Sequence, residues 1–559
     1  MWLGKHGLLL ELPLKLATSR AALCVPCARR HYASTSNPPE QHIAVVGGGI
    51  SGLASAYFIS SEMPNAKITI YEQEDKLGGW IQSRHVQVPG GEVLFEHGPR
   101  TLRPGWKATP TALLIQELGL VEDLLTTSKN SPAARRRYIL YPDRINCLPN
   151  MKDLPSLFGA WRCVSSGLFN GGLSLITEHL QPFRPRKLND ESVGDFISRR
   201  LDKRLASNIV SAAIHGIYAG DIWQLSAKTL FPLAWHLEGM GKSIMSGMLE
   251  MASTSSGRQH PMWTLNRFES YKAESTEIFI NLDDKVEQAL ENASTFTFKN
   301  GLQQLIDALK QKLAANPQVQ FRLNSSVNNY RKAEDKSGRI QVEASPADAT
   351  SDNVETKDIF DQIVWTPPQA LLTPSVTVQV VNFYFSKPNL HPYRGFGFLI
   401  PESVPFEQNP ERALGVIFDS DAVQGQDNVD GTKVTVMLGG RWWDDWEGLP
   451  DAEEGLELAR SVIRRHLGII EEPTATNVTT NYSCIPQYTV GYENRLRKFG
   501  YGLMNEFKGK VKVVGSQYNG VGVTDCILAA YFVANDVRRG DPGCGLDRIL
   551  VGRAQKVKA

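Results

Sequence analysis

The run Ile43-Ala44-Val45-Val46-Gly47-Gly48-Gly49-Ile50-Ser51-Gly52 constrains this chain more than any other. Ile43 to Val46 are apolar and partly β-branched, which predicts a strand buried on both faces. Gly47, Gly49 and Gly52 then fit G-x-G-x-x-G where that strand hands over to a helix. Gly47 allows the tight turn, Gly49 lets a pyrophosphate approach the backbone, and Gly52 lets the helix pack on the strand. The helix start, at Ile50 and Ser51, offers free N–H groups and a positive dipole end to phosphates. A second strand, Lys67 to Tyr71, ends at Glu72, about 20 residues after Gly52. A carboxylate there accepts ribose hydroxyls and disfavours a phosphorylated ribose. The expected ligand is FAD or NAD rather than NADP.

The next motif separates those two. Asp75-Lys76-Leu77-Gly78-Gly79-Trp80 resembles the second glycine motif of the amine-oxidase-like flavoproteins. In that group the Gly78-Gly79 pair lets the backbone pass close to FAD, and NAD dehydrogenases have no such motif. Trp80 departs from the arginine usual at that position. Near the other end of the chain, Val511 to Gly515 reads as a strand stopping at a glycine. Gly520-Val521-Gly522-Val523 then starts a helix that presents N–H groups to the flavin and its ribityl chain.

Charge excludes one large class of function. Lys and Arg total 60 against 59 Asp and Glu, so the chain lacks the basic balance of a nucleic-acid binder. The 7 cysteines are scattered, and the one C-x-x-C, Cys24 and Cys27, lies in a leader expected to be removed. No disulfide framework or metal spacing follows.

That leader, residues 1–40, carries Lys5, Lys15, Arg20, Arg29 and Arg30 against Glu11, with leucines spaced for one helix face and Ser and Thr at its end. It reads as a mitochondrial transit peptide, with cutting after Tyr32. Residues 41–106 form the first piece of a flavin domain, closed by Gly98-Pro99-Arg100. Residue type leaves Arg100 two readings: it pins a ligand carboxylate, or it holds Glu96 or a helix end. Residues 107–285 read as mainly helical, with amphipathic spacing over Leu113 to Leu120 and Glu191 to Leu205. Within them, Pro155 to Thr177 is apolar but broken by Gly159, Gly167, Gly171 and Gly172. No apolar run reaches 18 residues anywhere, against a spanning helix. A face dipping into one leaflet and a buried hairpin both remain open. His215, alone in an apolar stretch, reads as structural. Residues 252–285 read as a polar surface insertion. Residues 286–366 return to the flavin domain, with an amphipathic helix opening at Phe296, a strand at Val319 to Leu323, and Val327 beside it. Residues 367–482 change to strands, Thr377 to Phe385, Gly415 to Phe418 and Val434 to Gly440, a sheet suited to the floor of a pocket. Trp442, Trp443 and Trp446 read as local packing. Residues 483–545 close the flavin domain.

Leu77-Gly78-Gly79-Trp80, Gly98-Pro99-Arg100, Gly216-Ile217-Tyr218-Ala219-Gly220, Gly395-Phe396-Gly397-Phe398-Leu399, Ser483-Cys484-Ile485-Pro486-Gln487-Tyr488 and Gly520 to Cys526 resemble, in order, the mitochondrial-type protoporphyrinogen oxidases. That subfamily carries Trp80 in place of arginine. The resemblance implies an α/β fold: a Rossmann-like FAD-binding domain of the amine-oxidase type, a mixed-sheet substrate domain and a helical membrane-associated domain. It implies oxygen-dependent oxidation of protoporphyrinogen IX to protoporphyrin IX in haem biosynthesis, with hydride passing to flavin N5 and O2 yielding H2O2. No residue is then needed as a strong base. Arg100 matches an arginine that pairs with a substrate propionate, Gly216 a glycine whose carbonyl accepts pyrrole N–H bonds, and Leu399, Phe418 and Met437 apolar positions sandwiching the tetrapyrrole. Val327 matches a contact at the adenine end. Cys526 follows Asp525 at the helix start, so FAD is expected to be non-covalent. Residence at the mitochondrial inner membrane follows, with ferrochelatase, the next haem-pathway enzyme, as a possible partner. Two rivals share the fold: an FAD-dependent amine oxidase or desaturase, and a non-enzymatic binder of the dissociation-inhibitor type.

Overall fold

A computed structural model describes residues 40–149, 165–254, 282–335, 337–347 and 356–546. The transit-peptide reading of the leader, residues 155–164 of the apolar segment and residues 255–281 of the insertion lie outside the described residues.

Five parallel strands carry the nucleotide motifs: β1 (His42–Val46), β2 (Lys67–Tyr71), β9 (Val319–Arg322), β13 (Gln362–Trp365) and β19 (Val511–Val513). Their order is β19-β13-β1-β2-β9. β1 sits centrally, and its Ile43 to Val46 are buried on both faces, as an unbroken apolar run requires. One face is covered by helices α1 (Ile50–Glu62), α2 (Thr109–Glu117), α7 (Gln303–Ala314) and α10 (Val523–Arg539), which share one core with Ile43, Val45, Ile68 and Ile70. The other face packs on α9 (Tyr492–Phe507) and a three-stranded antiparallel sheet, β10 (Ser325–Lys332), β11 (Ile340–Pro346) and β12 (Thr356–Phe360).

A second, mixed sheet has seven strands in the order β18-β14-β17-β16-β15-β6-β7. These are β6 (Tyr138–Leu140), β7 (Ile145–Cys147), β14 (Ser375–Phe385), β15 (Gly397–Leu399), β16 (Ala413–Ile417), β17 (Thr432–Gly439) and β18 (Ala475–Pro486). Helix α8 (Ala452–Leu467) covers one face, burying Ala459, Val462 and Ile463 against Val381, Phe383, Val434 and Val436. The opposite face turns to the flavin domain, where Asn382 donates to the Glu96 carbonyl and Asn481 to the His97 carbonyl.

Residues 107–285 divide differently from the sequence reading. α2 belongs to the flavin-domain core, β5 (Leu124–Ser128) pairs with β8 (Ala293–Phe298), and β6 and β7 join the seven-stranded sheet. The helical layer is what remains: α3 (Val193–Arg200), α4 (Ser211–Tyr218), α5 (Pro232–Gly241) and α6 (Ile244–Thr254). The proposed 252–285 insertion also narrows, since α6 reaches Thr254 and another helix starts at Asp284. Phe296, read as the opening of a helix, lies in β8; Phe296-Thr297-Phe298 alternates with period two, and the helix begins only at Gln303. Among the described residues no helix is long and apolar enough to cross a membrane. Leu173, Ile176, Leu180 and Phe183 nonetheless stand exposed (81%, 72%, 71% and 61%), with Leu249 of α6 (67%). Glu178 accepts N–H bonds from Ile244 and Met245, which places this strip at the start of α6.

Candidate functional site

At the C-terminal end of β1 the chain turns through Gly47 at φ +100° into α1. A Cβ on Gly52 would overlap the Gly47 carbonyl oxygen, so this position tolerates glycine alone. Gly49 is the reverse: nothing lies within 4 Å of where its Cβ would be, and this open notch is where a phosphate fits. α1 has no side-chain cap and no acidic residue in its first turn, so the N–H groups of Ile50, Ser51 and Gly52 are donors awaiting an anion. Gly49 forms a parallel bridge with Gly78, and a Cβ on Gly79 would lie 3.4 Å from the Gly49 Cα. The second glycine motif is therefore laid along the first. Glu72 closes the notch: its carboxylate accepts the Gly48 N–H at 2.6 Å and the Glu74 N–H at 2.9 Å. The next strand, carrying Val327, is tied to it by the Ser325 N–H donating to the Glu72 carbonyl at 2.8 Å. Val327 packs half-buried against the cluster of Tyr71 and Trp365.

The chain end meets the same notch. Gly515, at φ +144°, stands beside Ser51, whose Oγ is 3.8 Å from where a Gly515 Cβ would be. α10 starts at Gly522 without a side-chain cap, flanked by Val521 and Val523, and packs along α1. Two uncapped helix starts, an open glycine notch and a strand-end carboxylate fit a flavin dinucleotide. Trp80 is 45% exposed, and its carbonyl bears on Gly98, where a Cβ would clash.

Strand register assembles the second half of the site. Ile139, Leu399, Gly415, Met437, Val380 and Thr479 are successive partners across β6, β15, β16, β17, β14 and β18, so they line one row of the face turned to the flavin domain. Leu399 and Met437 are half-buried there. α4 lies over this row: a Cβ on Gly216 would come within 2.9 Å of Leu399 Cδ2. Ala213, Gly216 and Ile217 form its exposed face. The helix ends at Tyr218 with Ala219 left-handed, and among the described residues nothing donates to the Gly216 carbonyl. Burial pushes the Tyr218 phenol up to about 12, and the Asp525 charge at the start of α10 adds to that shift. Gly216 thus packs on Leu399, and Leu399 and Met437 lie on one apolar row beside the exposed face of α4, the candidate slot.

Phe418 is not part of it. It is 1% exposed and packs against His391 (ring centroids 4.4 Å apart), Tyr138, Tyr393 and Phe398 on the α8 side of the sheet. The reason is strand period: Val416 and Phe418 share a face, and the residue between them, Ile417, points to the slot side. Arg100 also differs from expectation. It is buried and forms an ion pair with Asp419, whose other oxygen accepts from Thr435 Oγ1 at 2.6 Å, while Asn382 donates to Thr435 at 2.8 Å. Glu96, the other partner considered for Arg100, instead accepts from Ser83 Oγ at 2.6 Å and from the Leu302 N–H at 2.9 Å. Burial pushes the Glu96 carboxyl up to about 7. His215 is fully buried with its Nδ1 2.7 Å from the Ile400 carbonyl; burial pushes it down to about 4, so it is neutral. Sequence reading missed Asp419 and Ile417; counting alternation from Val416 would have found Ile417, whereas Asp419 lies past the strand end, at the start of the short helix Asp419–Ala422.

A profile of the flavin-containing amine oxidoreductase family matches residues 50–538. The protoporphyrinogen oxidase of Schizosaccharomyces pombe is 33% identical over 503 residues, covering 88% of this chain and 97% of that protein. That of Homo sapiens is 30% identical over 515 residues, covering 89% and 99%. A solved chain from Exiguobacterium sp. 255-15 superposes with a TM-score of 0.66 over 90% of this chain and 99% of its own, at 19% identity, a likeness of fold.

Proposed function

This chain belongs to the flavin-containing amine oxidoreductase family and, within it, to the protoporphyrinogen oxidases, and from that premise we propose that the slot between α4 and the β15–β17 face holds the porphyrinogen. The reaction is FAD-dependent oxidation of protoporphyrinogen IX to protoporphyrin IX with O2 as acceptor. Bound FAD would supply the redox chemistry, hydride acceptance from the macrocycle with O2 as the final acceptor. The chain's own residues bind, orient and shield.

Ile50, Ser51 and Gly52 would hold the pyrophosphate through their N–H groups, and Glu72 would take the ribose. Leu399, Met437 and Ile417 offer apolar surface to the tetrapyrrole. The Gly216 carbonyl, left open by the end of α4, accepts pyrrole N–H bonds. The observation that carries this reading is that open carbonyl beside an apolar row. A macrocycle that loses hydride and then sheds an acidified pyrrole proton needs no stronger base. Arg100 answers Asp419 first, and a propionate at the slot edge is placed by the Arg100–Asp419 pair as a unit. Cys526 is buried, with its Sγ 3.7 Å from the Gly520 carbonyl, and burial raises its thiol pKa, which disfavours the thiolate a covalent link to FAD would need.

The exposed strip Leu173, Ile176, Leu180, Phe183 and Leu249 is flanked by Arg186, Lys187 and Lys242, with Lys242 Nζ 5.0 Å from the Phe183 ring. Apolar side chains rimmed by cations suit the surface of an anionic bilayer. We assign this strip to peripheral binding at the mitochondrial inner membrane, which the leader supports, and which brings the product near ferrochelatase. Flotation with cardiolipin-containing vesicles tests the strip: wild type is expected to float, and a Leu180→Asp, Leu249→Asp variant to stay behind.

The activity is tested by porphyrin fluorescence after adding protoporphyrinogen IX in air to the purified flavoprotein. The expected result is a rate well above spontaneous oxidation, with three H2O2 formed per porphyrin. Flavin bound with no rate above the control would remove the porphyrinogen reading and leave an oxidase of another substrate.

A further inference from the structure

On the reading above, the flavin ring has to lie where the dinucleotide notch meets the macrocycle slot, because hydride passes from one to the other. An ion pair stands at that junction. Lys107 Nζ donates to Asp525 Oδ1 at 2.7 Å, joining residues 418 apart in sequence. Asp525 belongs to the first turn of α10, and its carboxylate lies against the glycine loop that precedes it: a Cβ on Gly520 or on Gly522 would come within 2.9 Å of Asp525 Oδ2. Toward the slot, burial raises the phenols of Tyr218, at the end of α4, and of Tyr488, and the Asp525 charge adds to both. Lys107 is carried by a short turn, Trp106–Ala108. Ala108 is buried in one cluster with Ile527 and Ala530 of α10, and Thr109 Oγ1 ties the turn to α2 by donating to the Trp106 carbonyl at 2.8 Å.

A carboxylate suits the positive end of a helix dipole. This helix start, however, is the one offered to the flavin. Reduction of a flavin leaves negative charge on N1 and the C2 oxygen, and that end of the ring goes to a helix start for the reason that phosphates do. Alone, the Asp525 charge would oppose it. Lys107 supplies the opposite charge at hydrogen-bond distance. The two side chains are 48% and 20% exposed, so the pair is too wet to add much stability. Its consequence is the local field, and charge close to flavin N1 tunes the electronics of the ring.

Resting on the flavin site proposed above, we infer that Lys107 is a positioning residue acting through Asp525: it cancels the carboxylate at the start of α10 and so holds up the reduction potential of the flavin. Without the lysine, an unopposed carboxylate makes reduction of the flavin harder. Without the carboxylate, an unopposed lysine makes it easier.

The test is the reduction potential of the bound flavin, read by equilibrating the purified flavoprotein with a reference dye in the absence of substrate. Lys107→Met is expected to move the oxidised-to-reduced ratio about tenfold toward the oxidised form, a fall of about 30 mV for a two-electron couple. That fall should shrink at high ionic strength, because the pair is partly exposed. Lys107→Arg keeps the charge and is expected to keep the potential. Asp525→Asn is expected to raise the potential, by less than Lys107→Met lowers it, since a freed lysine can swing toward water. The double variant Lys107→Met, Asp525→Asn should return close to wild type. An unchanged potential in Lys107→Met overturns the inference. So does a fall in both single variants, which is what a merely structural disturbance of the helix start would give. Should Lys107→Met lose its flavin, Asp525→Asn decides alone, and a potential that does not rise overturns the inference. Wild type that holds flavin yet leaves protoporphyrinogen IX untouched fails the substrate reading only, and the potentials still decide the role of Lys107.

Discussion

The notch proposed for the dinucleotide and the slot proposed for the macrocycle are built by different means. The notch is backbone: two helix starts, three glycines with distinct reasons to be glycine, and one carboxylate to brace the turn. The slot is side chains on one face of a sheet, under a helix held by hydrogen bonds from behind. A backbone site fails when a Cβ appears. A side-chain site fails gradually, residue by residue, and can be mistaken for core. The two kinds of site therefore predict different mutational signatures.

The largest effect belongs to the notch. Gly52→Val places a side chain into the Gly47 carbonyl, and the β1–α1 turn must open to relieve it. The expected outcome is protein without yellow flavin and a loss of stability of about 3 kcal/mol or more. Gly49→Ala sharpens the contrast, since its Cβ meets open space in the protein. The apo form should unfold as wild type does, yet hold FAD weakly, because the methyl occupies the place of the phosphate. Equal loss of apo stability in both variants would break the distinction between packing glycine and ligand glycine.

Next comes Arg100→Ala, which strands the buried Asp419 without its cation. Removing one partner of a buried pair costs roughly 3–5 kcal/mol, and denaturant melts should show a loss in that range with FAD still bound. Arg100→Ala with Asp419→Asn should recover much of that stability. If substrate use stays poor in the double variant, the arginine serves the propionate as well; if it returns, the arginine serves only Asp419.

Neighbouring residues on one strand separate the two sides of the sheet. Phe418→Ala empties a site among four rings and is expected to cost about 3–5 kcal/mol, with KM for the porphyrinogen unchanged. Ile417→Ala should do the reverse, raising KM severalfold with less than about 1.5 kcal/mol of destabilisation, since its side chain is only partly buried. A KM effect from Phe418→Ala alone would reverse the face assignment.

These contrasts explain what could be read in advance. Glycine spacing carries the notch because each glycine answers a local demand of the chain, and Gly47, Gly52, Gly78 and Glu72 all fall where the motif places them. The two sheets and the closing helix were legible from apolar runs and their glycine ends. The slot was legible only in part. Gly216, Leu399 and Met437 came from a resemblance, and Phe418 came with them although one residue of slip sends its ring to the other face. The partner of Arg100 lies 319 residues away, a separation that no local pattern encodes. The split of residues 107–147 among two sheets and a helix was hidden for the same reason: short strands such as Tyr138–Leu140 acquire their identity from distant partners.

The last contrast lies where the two regions join. Glu96 ends β4 (Gly91–Glu96), its carboxyl binds Ser83 and the N–H that opens α7, and its backbone carbonyl accepts from Asn382 of the seven-stranded sheet. Burial raises the carboxyl from 4.5 to about 7 against the pull of those hydrogen bonds and of the nearby Arg100 and Lys433 charges. The folded protein thus holds this proton more tightly than the unfolded chain does. The corresponding stability is fully present below about pH 4.5 and is lost as pH rises through about 7, for a total of about 3 kcal/mol at 1.36 kcal/mol per pH unit. Glu96→Gln keeps an acceptor for Leu302 and a donor toward Ser83 but cannot ionise. Urea melts between pH 5 and pH 8 should therefore show wild type losing more stability than the glutamine variant, with the difference growing from pH 5 to about 7 and levelling off above it. Parallel curves would mean that Glu96 stays ionised in the fold, and that the junction is held by a paired charge, as at Arg100 and Asp419, rather than by a neutral acid.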